Sequence, residues 1–220
     1  MGIRDELAQQ GYFELGPALP EDVIARARRD VEAKREAAFE DDALWDVLDA
    51  LWPIAREALD GDAALLPAWW AWCVAPGERG WPPHRDSPAN AFDHASKLAR
   101  VTLWVPLADA TTRNGCMFVV PANWDYEYLN PKARGAVAHE QFIRAVPARA
   151  GSILGWSHAL LHWGGACAPE TSPRVSTSFE FIRADLAAPQ KYEPGWRPAP
   201  SERPALLEQM RTQYAHMVES

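Results

Sequence analysis

Two patterns of apolar residues divide the chain. Up to about residue 60 they recur at helical spacing; from Ala68 onward they come as short β-branched and aromatic runs broken by Gly, Pro and Asn. Asp5-Glu-Leu-Ala-Gln-Gln ahead of Gly11 predicts a short helix closed by glycine, and Tyr12-Phe-Glu-Leu a short strand. Leu19-Pro-Glu-Asp places acidic residues in the first turn of a helix over about 21–39, with Val23, Ala27, Val31 and Ala38 on its apolar stripe. A second helix is expected over 42–59, with Pro53 kinking or bounding it.

Five runs then read as strands: Trp69-Trp-Ala-Trp-Cys-Val, Arg100-Val-Thr-Leu-Trp-Val-Pro-Leu, Cys116-Met-Phe-Val-Val, Ser152-Ile-Leu-Gly-Trp and Ser176-Thr-Ser-Phe-Glu-Phe-Ile. Pro76-Gly77, Arg113-Asn-Gly115 and Pro121-Ala-Asn123 supply turns between them. Many short strands at such intervals imply a sandwich, jelly roll or barrel. Five prolines in 189–204 predict a surface wrap ahead of a terminal helix over about 204–218. The chain reads as one domain over 1–220: a helical part over 1–66, a β core over 67–185, and a C-terminal wrap and helix over 186–220.

On this frame the chemistry-bearing residues fall in three places. In Pro82-Pro83-His84-Arg85-Asp86, an extended backbone turns His84 and Asp86 to one side, so that an imidazole and a carboxylate meet one ion. Alone, a His-x-Asp tripeptide equally describes a surface pair. The segment Gly151-Ser-Ile-Leu-Gly-Trp-Ser-His158-Ala-Leu-Leu-His162-Trp-Gly-Gly adds two competing histidines, the second lying 162 − 84 = 78 residues downstream. Two His and one carboxylate with open positions form the facial triad of non-haem Fe(II) chemistry. The third place is Arg174-Val-Ser176, at the start of the last strand and 174 − 162 = 12 residues beyond His162. An Arg fork suits the distal carboxylate of a dicarboxylate, and Ser176, two residues on, adds a hydrogen bond from the same side. His94, His139 and His216 lack partners at ligand spacing and read as surface residues.

Composition narrows the choices further. A formal net charge of −8 excludes the basic stripe that nucleic acid requires, and no apolar run is long enough for a membrane span. Three widely spaced cysteines and a start without a secretory apolar region fit a cytoplasmic protein with reduced thiols. Eleven tryptophans suit core packing first.

The order of these pieces resembles the phytanoyl-CoA dioxygenase family of Fe(II)/2-oxoglutarate oxygenases over roughly 5–185. GYFELGPALPEDVIARARRDVEA, HRD, LWVPLADATTRNGCMFVVPANW, GSILGWSHALLHWGG and PRVSTSFEF carry the resemblance. It implies a mainly β fold with flanking helices around a double-stranded β-helix (jelly-roll) core. The family's Leu-Leu-His-x-Gly pattern selects His162 over His158, so that Fe(II) is held by His84, Asp86 and His162. 2-Oxoglutarate is anchored by Arg174 with Ser176, and Thr102 or Trp104 is expected to touch it. With Asp86 present, the resemblance implies hydroxylation of a small metabolite or natural-product intermediate by O2, or desaturation or ring closure, with release of succinate and CO2. Trp81, Trp156, Trp163 and Arg85 are candidate pocket residues, as are Trp70 and Trp72; one or two of the tryptophans are expected on the pocket wall. Lys97 and Arg100 are candidate anchors for an anionic substrate. The sequence departs from the family in Trp163-Gly164-Gly165, where His-Gly-Ser and a later Asn are usual. A cupin-type metal enzyme, a silent ligand-binding relative and a zinc hydrolase are the rival readings, and the sequence leaves oligomeric state open.

Overall fold

The computed structural model describes residues 2–133 and 140–218, with side chains through Tyr214; His139 and the His216 side chain lie outside the described set. Helix α1 (Ile3–Gln10) stops at Gly11, whose φ of 80° takes the left-handed turn a helix end needs. Strand β1 (Tyr12–Leu15) follows directly. Helix α2 (Glu21–Lys34) opens on Glu21 and Asp22 and buries Ile24, Ala27 and Val31, so the buried stripe takes Ile24 rather than Val23. It ends sooner than the expected 21–39. Arg35, at φ 53° and ψ −128°, breaks the helix, and Arg35–Glu40 continues as a tighter 3₁₀ segment. Helix α3 (Ala43–Leu59) runs straight through Pro53. The proline ring points to solvent while Leu51, Trp52, Ala55 and Leu59 are buried around it, and that packing outweighs one lost backbone bond.

The β core comprises β2 (Ala63–Val74), β3 (Arg100–Pro106), β4 (Met117–Val120), β5 (Arg144–Val146), β6 (Ile153–Ser157), β7 (Leu161–Gly164) and β8 (Arg174–Arg183). A five-stranded sheet is ordered β1-β6-β3-β8-β2 and a three-stranded sheet β5-β4-β7, with the neighbouring strands antiparallel. The result is a jelly-roll, mainly β with flanking helices. The boundary expected at 66/67 shifts: β2 already begins at Ala63, and β1 lies in the large sheet, so the N-terminal segment is not wholly helical. Strands β5 and β7, of three and four residues, were too short to stand out as periodic runs.

Alternation along the large sheet decides what faces what. Trp69, Ala71, Val101, Leu103, Val105, Val175, Phe179 and Phe181 join the apolar core that α1, α2 and α3 cover. Trp45 of α3 meets Trp69 edge-on at 5.6 Å, and Phe39 meets Phe179 at 5.8 Å. The intervening residues Trp70, Trp72, Arg100, Thr102, Trp104, Ser178 and Glu180 face the other way, into a cavity closed opposite by Met117, His162 and Gly164 of the small sheet. Helix α4 (Arg203–Val218) returns across the first half, where Arg203 pairs with Asp42 at 2.7 Å and Arg211 with Glu36 at 3.3 Å. No helix among the described residues is long and apolar enough to cross a membrane.

Candidate metal centre

His84 lies outside the named strands, yet its backbone is locked to β7. The His84 N–H donates to the His162 carbonyl and the His162 N–H to the His84 carbonyl, both at 3.0 Å. This reciprocal bridge joins two segments far apart in sequence and sets their rings 4.3 Å apart between centroids. Asp86, two residues along the extended segment, turns to the same side. Its Oδ1 lies 3.5 Å from His84 Nε2 and 3.4 Å from His162 Nε2. One atom from each of the three side chains lies within 4.8 Å of the others.

Hydrogen bonds orient every member of this set. His84 Nδ1–H donates to the Pro82 carbonyl at 2.9 Å and His162 Nδ1–H to the Leu160 carbonyl at 3.0 Å, which leaves both Nε2 lone pairs directed at the shared point. Asp86 Oδ2 accepts from Thr102 Oγ1 at 2.7 Å and Trp156 Nε1 at 2.9 Å, which leaves Oδ1 for that point. Burial pushes His162 down to about 4, so its ring is neutral near pH 7. Burial also opposes charge on Asp86, but the neighbouring His162, the His84 hydrogen bond and His158 together hold its carboxyl below the ordinary range. Neutral imidazole and ionised carboxylate are the forms that ligate a metal. Two nitrogens and one oxygen on one side, open on the other, fit a divalent transition ion.

Arg174 opens the last strand at the opposite end of the cavity and is 3% exposed. Its guanidinium donates to Ser176 Oγ at 2.9 Å, while Nε is buried without a partner. No carboxylate among the described residues pairs with it. Burial lowers it to about 10, and the titratable groups acting on it are the thiols of Cys116, Cys167 and Cys73. Gly164 makes room for it, since a Cβ there would stand 2.8 Å from the guanidinium. A buried, unneutralised cation facing a cavity fits an incoming carboxylate.

The other residues singled out in the sequence fall on both sides of the cavity wall. Thr102, Trp104, Trp81 and Trp156 line the 310 Å³ cavity with the triad and Arg174; Ser176 lies behind, bonded to the Arg174 fork. Trp70 and Trp72 also line it, so four of the five tryptophans first considered for the wall are there, more than expected. Trp163 is a correction: the residue after His162 points away and stacks on Phe118 at 5.7 Å. Arg85 is another, because it alternates away from its neighbours His84 and Asp86 and pairs with buried Asp125 at 2.7 Å. Lys97 is exposed and outside the cavity; Arg100 lines it. His158 is wholly buried, with Nε2 3.7 Å from Glu180 Oε2, and burial pushes it down to about 4.

Several lining residues went unnoticed in the sequence. Ser178 and Glu180 share the face of Ser176 and follow from the same alternation. Glu36 and Tyr214 come from the 3₁₀ segment and α4, and no local pattern announces them.

A jelly roll carrying two histidines and one carboxylate at an open point defines a mononuclear metal protein of the facial-triad class. The phytanoyl-CoA dioxygenase (PhyH) family profile matches residues 46–169, and the chain belongs to that family. No curated protein matches the sequence. Among solved structures, the non-haem α-ketoglutarate-dependent epimerase SnoN from nogalamycin biosynthesis is 20% identical with a TM-score of 0.64, covering 90% of this chain and 91% of its own. The apo non-haem monooxygenase ThoJ is 13% identical with a TM-score of 0.70, over 96% of this chain and all of its own (100%). HygX from Streptomyces hygroscopicus, solved with nickel and 2-oxoglutarate bound, is 15% identical with a TM-score of 0.64, over 84% of this chain and 88% of its own. At these identities the likeness is one of fold.

Proposed function

We propose that this chain is an Fe(II)- and 2-oxoglutarate-dependent oxygenase acting on a small molecule, with His84, Asp86 and His162 as metal ligands and Arg174 as the anchor of the 2-oxoglutarate distal carboxylate. The observation that carries the reading is Arg174: a buried guanidinium without an acidic partner among the described residues, in the same cavity as the triad. A cupin-type enzyme or a zinc hydrolase has no use for that cation. HygX, of the same fold, is a protein with 2-oxoglutarate bound, which agrees with the reading.

Iron, when bound, supplies oxygen activation coupled to decarboxylation of 2-oxoglutarate to succinate and CO2. The chain's own residues bind and orient. Thr102 and Trp156 fix the Asp86 carboxylate, the Pro82 and Leu160 carbonyls fix the imidazole tautomers, and Ser176 steadies the guanidinium. Trp70, Trp72 and Trp81 present aromatic surface that excludes water from the substrate side. We assign the outcome as hydroxylation, because Asp86 occupies the third ligand position. SnoN, an epimerase on the same fold, makes the product the point to examine.

Anaerobic titration with Fe(II) and then 2-oxoglutarate is the test, read by the weak visible charge-transfer band of the chelate. A band in the wild-type protein, together with greatly weakened 2-oxoglutarate binding in Arg174→Ala, supports the assignment. Absence of the band in wild type, or unchanged 2-oxoglutarate affinity in Arg174→Ala, rejects it.

A further inference from the structure

The end of the cavity away from Arg174 has a chemistry that the metal and its dicarboxylate do not use. The inward positions of β8 run from Arg174 through Ser176 and Ser178 to Glu180, and Glu180 lies opposite Thr102 across the β3–β8 ladder. Its carboxyl is held in the interior with a side chain 17% exposed, toward the cavity it lines. It stands 3.7 Å from His158 Nε2, beyond hydrogen-bond reach, and makes no hydrogen bond among the described residues. Arg100, on the same face of the neighbouring strand, lines the same end and makes neither an ion pair nor a hydrogen bond among the described residues. Of the other acids lining the cavity, Asp86 belongs to the triad and Glu36 is already committed to Arg211 at 3.3 Å. One acidic and one basic group are therefore available to a ligand.

An aromatic wall runs beside them. Tyr214 meets Trp70 edge-on at 5.2 Å, Trp70 stacks with Trp72 at 5.9 Å, Trp72 meets Trp81 at 5.6 Å, and Trp81 meets His84 at 6.2 Å. Apolar ring surface thus continues from α4 to the metal ligands. The whole cavity is only about 310 Å³, at the small end for ligand sites, and 2-oxoglutarate takes a share of it.

We infer that Glu180 and Arg100 form the specificity-determining end of the substrate site, and that the substrate is a small, uncharged, hydroxyl-bearing ring molecule. This inference rests on the Fe(II)/2-oxoglutarate reading. A cation meets Arg100, and an anion meets the acidic pair Asp86 and Glu180, the latter already pushed up by burial and by Asp86, so either carries a repulsive contact. A hydroxyl satisfies both groups, donating to the carboxyl and accepting from the guanidinium. The tryptophan wall covers the flat apolar face of such a ring. A fatty-acyl chain of the kind in the family's name would leave both polar groups buried and unpaired, so the cavity selects against it.

The experiment uses wild-type protein loaded anaerobically with Fe(II) and 2-oxoglutarate. Its probes are methyl hexopyranosides, inositols, cyclohexylamine, benzoate and octanoate, each at millimolar concentration. Perturbation of the chelate band reports binding, and succinate release in air reports productive binding. The expected result is that at least one neutral polyol perturbs the band and stimulates succinate release, whereas the amine, the aromatic acid and the acyl chain do not. Glu180→Leu then weakens the polyol by tenfold or more, Glu180→Gln restores most of the affinity, and 2-oxoglutarate affinity stays within twofold in both. Arg100→Leu provides a second, independent variant with the same expectation. Preference for octanoate or a charged probe, no response to any polyol, or unchanged polyol binding in both Leu variants overturns the inference. Failure of the chelate band in wild type is a separate outcome: the oxygenase reading fails, and the substrate assignment falls with it.

Discussion

A guanidinium that is 3% exposed, with a serine as its only side-chain hydrogen-bond partner among the described residues, is held in place by the surrounding fold, and none of those residues offers a carboxylate to neutralise it. Removing one partner of a buried, hydrogen-bonded charge pair costs about 2–5 kcal/mol. Arg174→Ala is therefore expected to weaken 2-oxoglutarate by roughly 30-fold or more. Arg174→Lys recovers little, because a point charge does not reproduce a planar fork. Around the metal, Trp156→Phe removes the Nε1 donor to Asp86 Oδ2 while keeping an aromatic ring. Metal affinity, measured by competition with a chelator, should fall by about 10-fold or more; an unchanged constant would show that Thr102 alone suffices to orient the carboxylate. His158 makes a prediction about pH. Its folded value is about 4 against an ordinary 6.5, so between these values the unfolded chain takes up a proton that the buried ring refuses. Its contribution is fully present above pH 6.5 and lost as the pH falls toward 4, a change on the order of 3 kcal/mol. Denaturant melts of His158→Leu from pH 7 to 4 should show a shallower acid decline than wild type. At this scale the sequence was partly legible. The shared side of His84 and Asp86 follows from extended geometry, whereas nothing local separates His158 from His162; a tight turn before β7 carries one ring beside Glu180 and the other to the triad.

Between elements, the close approach at Gly80 governs how the ligand segments meet. A Cβ on Gly80 would lie 1.9 Å from the Gly164 carbonyl and 2.4 Å from that of Gly165, both backbone atoms at the end of β7. Gly80→Ala must push β7 away from the segment leading to His84, and so strain the reciprocal bridge that carries His162. The expected loss is about 3 kcal/mol or more in stability, with weaker metal binding measured on the same preparation. Normal stability together with normal metal affinity would mean that the segment before His84 yields instead. Strand β1 and the helix end at Gly11 could be read from sequence because the glycine marks the junction between them. The break of α2 at Arg35 could not, since a non-glycine residue at positive φ is imposed by tertiary packing. Strand β7 escaped for a related reason: four residues give two per face, too few for a periodic signal.

Across the whole molecule, parity along the large sheet divides its side chains between two tasks. One set packs beneath the helices as core, while the alternate set lines the cavity, so the same strands stabilise the fold and build the site. The abundance of tryptophan reflects both: Trp45, Trp52 and Trp69 lie in the helix-covered core, and Trp70, Trp72, Trp81, Trp104 and Trp156 line the cavity. Sequence pattern announced a sandwich, jelly roll or barrel and the family resemblance narrowed it to the jelly roll, but closure of the cavity by Glu36 and Tyr214 depends on long-range docking that no local period encodes. The unneutralised charge of Arg174 has a consequence beyond recognition: it makes heat resistance a gauge of occupancy. A ligand that binds only the folded chain raises stability by about 2.7 kcal/mol at a hundred times its dissociation constant. For a chain of this size that corresponds to a melting point roughly 5–10 °C higher. In the presence of Ni(II), 2-oxoglutarate should produce that rise in wild type and very little in Arg174→Ala, and shorter dicarboxylates that cannot span metal and guanidinium should fall between. The bare protein carries its electrostatic strain at one end of the barrel, so a thermal melt would rank candidate dicarboxylates before any turnover is measured.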